Sequence, residues 1–188
     1  MSFCPCILHP YRTARKCDNI SMVMNVFEIV EMTEEYAAEI SRWAYPSPYE
    51  AYSFKPTEEE IDQLMNGLHA AVTDASGGEE TLVGFVAFGW SAQVVCDESE
   101  EMYEDESFSD IAFGLKPELC GRGLGLSLVK CGMAFVKGLF PDDGLRLTVR
   151  ADNARAIKVY ERAGFRKERD FTCEGVRYAA MVHAIIVN

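Results

Sequence analysis

A mixed α/β fold, α+β by some schemes, is what this sequence predicts: a mostly antiparallel sheet of about six to seven strands with helices on both faces. Short β-rich runs lie at both ends of the chain, apolar stripes at helical spacing interrupt them, and turn signals separate the runs. With 188 residues, 48% of them apolar and 26% charged, the chain has enough hydrophobic side chains for a core of its own. Residues 24–188 are expected to form this single domain, and residues 1–23 a flexible extension or the product of an upstream start.

Val26, Phe27, Ile29 and Val30 surround Glu28 in a first strand. Thr33 then acts as an N-cap, with Glu34 and Glu35 at the positive end of a helix whose apolar stripe is Ala37, Ile40 and Trp43. The stretch from Tyr45 to Pro56 holds three tyrosines and three prolines, which suits neither helix nor central strand; it walls a pocket or packs over a core edge. Thr57 with Glu60 makes a capping box that opens a short helix through Met65. Leu68 to Thr73 and Leu82 to Val95 read as antiparallel strands around a turn. Phe108 to Leu115 is strand-like and stops at Pro117. Leu128, Cys131, Phe135 and Leu139 then recur at helical spacing. Leu145 to Val149 is a strand, Asp152 and Gly164 bracket a helix, and Phe165 to Cys173 and Val176 to Val187 are the last two strands.

The net charge of −12 argues against general binding to nucleic acid or anionic membranes. Lys116 to Arg169 nevertheless carries +6 against −18 elsewhere, so an anionic ligand is expected there. Asp97 to Glu106 places seven acids in ten residues, a solvated loop or a lip that attracts a cation. Seven cysteines, an odd number with no CxxC pair, fit reduced thiols in a cytoplasmic protein better than a disulfide framework. Cys4, Cys6, His9 and Cys17 match no zinc spacing, so no metal site is expected. No apolar run reaches 18 residues, and no membrane span is expected.

Pro117 to Gly125 is the most informative stretch. Gly121, Gly123 and Gly125 alternate with Arg122 and Leu124, which permits positive φ and lets a phosphate approach main-chain amides just before a helix. The Gly-Lys-Ser/Thr of a Walker loop is absent, and the position, late in the chain, does not suit a Rossmann fingerprint. A glycine turn that only allows close packing is the alternative. Downstream, Asn153 at a helix start and Tyr160 two turns later share a face, as a ligand contact or as a helix cap and a core tyrosine.

Together the loop from Cys120 to Gly125 and the pattern Asn153-x-x-Ala156-x-x-x-Tyr160-x-x-x-Gly164-Phe165 resemble the GNAT superfamily of N-acetyltransferases. The resemblance implies a GNAT-like sheet and acetyl-CoA as cosubstrate, its pyrophosphate held by Cys120, Gly121, Arg122, Gly123, Leu124 and Gly125. It also implies pantetheine on the main chain of Phe113 and Leu115, Asn153 orienting the cofactor, and Tyr160 as the acid that protonates the departing thiolate. The acceptor would be an amine on a small molecule or a peptide N-terminus, the protein a monomer or homodimer. Two departures stand out. Cys120 replaces the usual Arg or Gln, and a thiol beside a helix N-terminus gains reactivity if its pKa falls. Thr148 stands where the similar ribosomal-protein alanine acetyltransferases carry a Glu base. The base is then Asp110, Glu106 or a water path; a catalytically silent acyl-CoA-binding module is the alternative to an enzyme.

Overall fold

The computed structural model describes residues 27–184. The expectations for residues 1–23, for Val26 and for the end of the last strand at Val187 lie outside that range. Seven strands form one sheet: β1 (Phe27–Glu31), β2 (His69–Asp74), β3 (Thr81–Phe88), β4 (Phe108–Leu115), β5 (Gly144–Arg150), β6 (Arg166–Cys173) and β7 (Val176–His183), in the order β1-β2-β3-β4-β5-β7-β6. Neighbours are antiparallel except β4 and β5. The helices are α1 (Glu34–Ile40), α2 (Glu58–Asn66), the single turn α3 (Glu100–Tyr103), α4 (Gly125–Leu139) and α5 (Ala154–Ala163). Among these described residues no helix is long and apolar enough to cross a membrane.

Local chemistry sets the helix ends. Thr33 and Thr57 accept from the amides of Tyr36 and Glu60 at 3.2 and 3.3 Å, each capping its helix as expected. Gly164 closes α5 at φ +101°, a left-handed conformation that glycine reaches without penalty. The strand expected to run to Val95 ends at Phe88, because Gly89 turns the chain at φ +55° into a 3₁₀ turn.

Both faces of the sheet are covered. On one, Val86, Phe88, Ile111 and Leu147 pack under Leu128, Val129 and Val136 of α4 and the apolar side of α5. On the other, Phe85 and Ala87 meet Ala37, Ile40, Trp43 and Leu64 from α1, α2 and the chain between them. The acidic segment covers the far part of that second face. It is more than a solvated loop: Met102 and Ser99 are buried, Met102 with Phe171 and Ala180, while the carboxylates stay outside.

The parallel pair β4 and β5 is short. It joins Phe108, Ser109 and Asp110 to Gly144, Leu145 and Arg146; beyond that β4 follows β3 and β5 follows β7, and the two strands part into a wedge. A buried ion pair holds the vertex. Arg146 Nε donates to Asp110 Oδ1 at 2.7 Å, its Nη2 to Oδ2 at 2.9 Å, and Gln93 Nε2 adds a third donor at 2.7 Å. Another guanidinium nitrogen donates to the Met102 carbonyl. Full pairing is what makes two charged groups tolerable at 2% and 4% exposure.

Asp110→Asn leaves the Arg146 charge buried without its counterion, and the expected loss in urea unfolding is about 3–5 kcal/mol. A loss below about 1 kcal/mol would show that the vertex does not depend on this pair.

Candidate functional site

The glycine loop leaves β4 through a 3₁₀ turn (Pro117–Leu119). Gly121 and Gly123 lie at φ +79° and +83°, and a Cβ built on either meets no atom within 4 Å. Open space therefore stands over the loop. Helix α4 begins without a side-chain cap, and its first ladder bond runs from Leu128 N–H to Leu124 O at 3.1 Å. The amides of the first turn are left for a ligand at the positive end of a fifteen-residue helix, an arrangement suited to phosphate. Arg122 is exposed there, although its own N–H is committed to Leu119 O at 3.4 Å.

Two side chains next to the loop are turned to other partners. The Cys120 Sγ turns back to within 3.8 Å of the Leu115 carbonyl, and burial pushes its thiol up, outweighing the nearby Arg155. Loss of water decides the direction, which favours a passive thiol over an activated one. Lys116, counted in the basic stretch, is paired with Glu39 at 2.6 Å.

Lys116 N–H donates to Val83 O, so strand alternation turns the main-chain groups of Phe113 and Leu115 away from β3, toward the wedge. The Leu115 carbonyl is already taken by the Tyr45 hydroxyl at 2.8 Å, which leaves its N–H. Tyr45 belongs to the aromatic stretch, which spans from the end of β4 to the start of α5. Tyr49 stacks on the Arg155 guanidinium at 4.2 Å, and the buried Tyr52 hydroxyl lies beside Asn153 and Arg150 without closing a hydrogen bond. Phe54 of the same stretch packs on the core edge against Phe85, while the three tyrosines reach toward β4 and α5.

Asn153 is the N-cap of α5, its Oδ1 accepting from Ala156 N–H at 3.1 Å, which leaves its NH₂ for another partner. Tyr160 lies between Phe113 and Phe165, with ring centroids at 6.0 and 6.1 Å. Burial first, and the neighbouring Tyr52 second, hold its phenol well above the usual range. The hydroxyl thus stays protonated at neutral pH.

The opposite wall is β5. Thr148 Oγ1 and the Tyr103 hydroxyl are hydrogen-bonded at 2.9 Å, and the same hydroxyl accepts from Val94 N–H at 3.0 Å. Burial raises the Tyr103 phenol as well, so it offers no base. Asp110 does not supply one either: both of its oxygens are occupied in the vertex ion pair, so it is neither the free base nor the exposed strand residue that the sequence allowed. Glu106 is exposed ahead of β4, away from the wedge. Sequence reasoning missed Tyr45 and Tyr103, whose roles arise from contacts with residues far along the chain. A cavity of about 720 Å³ lined by Phe54, Glu59, Asp62, His69 and Trp90 lies apart from all the expected site residues. No group of three or more His, Cys, Asp or Glu among the described residues could hold a metal ion.

Residues 35–165 match the model of the acetyltransferase (GNAT) family. Mycothiol acetyltransferase of Mycolicibacterium gilvum is 36% identical over 81 residues, 40% of this chain and 25% of that protein, so the chain spans about a quarter of the curated relative's length. Among solved structures, an aminoglycoside acetyltransferase in complex with coenzyme A superposes with a TM-score of 0.64 at 23% identity, over 84% of this chain and 94% of that one. A spermidine N-acetyltransferase chimera from Vibrio cholerae gives 0.56 at 16% identity, over 84% and 95%. At such identities the solved structures share the fold.

The Tyr103 and Thr148 hydroxyls form a testable pair. Tyr103→Phe strands Thr148 Oγ1 and Val94 N–H, and the expected cost in urea unfolding is about 1–3 kcal/mol. A double-mutant cycle with Thr148→Val isolates the contact, and a coupling energy near zero would remove it from the wall.

Proposed function

Because the chain belongs to the GNAT acetyltransferase family, we propose that it passes the acetyl group of acetyl-CoA directly to a primary amine within a ternary complex. The wedge between β4 and β5 carries this reading. An uncapped helix end and open glycine loop lie at one mouth, unpaired main-chain groups run along one wall, and a protonated phenol stands beside them.

The loop residues fit coenzyme A. The amides of Gly121, Gly123, Leu124 and Gly125 and the Arg122 side chain would hold the pyrophosphate, and the Asn153 NH₂ is free to orient the cofactor. The main chain of Phe113 and the Leu115 N–H would take the pantetheine arm as a strand takes a neighbour. An N–H at the parted edge of β4 can face the thioester oxygen and stabilise the negative charge that forms there.

In the transfer, the amine nitrogen bonds to the carbonyl carbon, the carbon–sulfur bond breaks, Tyr160 gives its proton to the leaving thiolate, and the proton that the new amide nitrogen sheds returns to the phenolate. The proton of the acceptor ammonium leaves through water, because Asp110 is committed to Arg146 and Thr148 cannot accept it. An acidic segment beside the wedge favours a cationic acceptor. Similar structures named for aminoglycosides and spermidine, both polycationic amines, support the same class.

Tyr160→Phe is expected to lower kcat by about 100-fold or more while the Kd for coenzyme A changes less than about threefold. Thiol release with a panel of amines, alongside calorimetry, measures both; unchanged turnover removes Tyr160 from the chemistry, and binding without turnover in the wild type refutes the enzyme reading. Gly123→Val places a branched side chain over the loop and is expected to weaken coenzyme A binding about tenfold. Equal affinity would move the pyrophosphate elsewhere.

A further inference from the structure

We propose that Cys96 and Cys173 are a redox pair that closes to a reversible disulfide and pins the acidic segment to β6. The two residues are distant in sequence and packed together in the cluster that contains Met102 and Phe171. Cys96 Sγ lies 3.8 Å from the carbonyl oxygen of Thr172, the residue before Cys173; Cys173 Sγ lies 3.9 Å from the carbonyl oxygen of Val95, the residue before Cys96. This reciprocal arrangement sets one thiol against the other.

The backbone on both sides is already fixed. Cys96 N–H donates to Ser99 Oγ at 2.9 Å, and Ser99 N–H returns to Cys96 O at 2.9 Å, which holds Cys96 in a tight turn. The Glu98 carboxylate accepts from Thr172 N–H at 2.7 Å, binding this turn to the end of β6. Cys173 is buried and Cys96 is partly exposed, so a small oxidant reaches Cys96 first. Hydrogen bonding between the thiols lowers the Cys96 pKa and, with burial, raises that of Cys173. The more acidic and more accessible sulfur is therefore the same one, as an attacking thiolate requires.

With a peroxide as oxidant, the Cys96 thiolate attacks one peroxide oxygen, the oxygen–oxygen bond breaks, and a sulfenic acid and a water form once a proton is taken up. The Cys173 sulfur then attacks the sulfenic sulfur, its own proton leaves, and the second water departs. Two thiols lose two electrons, the peroxide gains them, and one sulfur–sulfur bond remains. The closed loop includes Tyr103, so the bond ties down the wall that holds Thr148. None of this depends on the proposed acetyl transfer. Of the other described cysteines, Cys120 faces Leu115 and Cys131 faces Phe27, each away from this pair.

The test is peptide mapping of the full-length protein after hydrogen peroxide and alkylation. The expected product is a Cys96–Cys173 peptide that disappears on treatment with dithiothreitol, together with a thermal midpoint raised by about 5 °C or more in the oxidised wild type and unmoved in Cys96→Ser. Recovery of both residues as alkylated thiols, or their joining to other cysteines instead, overturns the pair. A mapped Cys96–Cys173 bond with an unchanged midpoint overturns the pinning.

Discussion

The parting of β4 from β5 is the constraint on which the rest of the structure depends, and it is fixed at its vertex by charge. A fully paired sheet would use every main-chain group of β4. Here the strand keeps β3 along one edge and releases β5 after Asp110, so Phe113 and part of Leu115 face open space. Arg146 and Asp110 stop the separation from running further toward the start of β4. They also reach Gln93 and the Met102 carbonyl, so one buried guanidinium and its carboxylate register two strands and the acidic segment against one another.

The cleft that results is rich in proton donors and poor in acceptors. Tyr45, Tyr52, Tyr103 and Tyr160 surround it, and loss of water raises each phenol. Each of these hydroxyls therefore stays protonated at neutral pH, and none of them supplies a base.

Much of the fold was legible because its signals are local. Thr33, Thr57 and Gly164 mark helix ends by chemistry that needs only the next few residues, and the alternate glycines announce a loop where side chains are excluded. Strand limits were legible to within a few residues, except where Gly89 turned the chain ahead of an apolar run that looked continuous. The glycine loop, one side of the candidate site, was legible for the same reason. The other wall was not: Asp110 reads as an alternating strand position, and only Arg146, on the strand paired with it, makes it half of an ion pair. Tyr45 sits in an irregular segment and Tyr103 at the end of a single helical turn, and the composition around them gave no direction for their hydroxyls. Their partners, the Leu115 carbonyl and Thr148, are far away in sequence.

One detail at the rim of the sheet has consequences for self-association. β6 is the terminal strand on its side, and its Thr172 N–H is bound by the Glu98 carboxylate. A second polypeptide seeking to add a strand there would have to evict an anion before making a ladder bond at Thr172. Among the described residues this guards the Thr172 end of an edge that would otherwise invite intermolecular sheet growth, and it adds to the irregular register that interrupts β6 between Lys167 and Arg169.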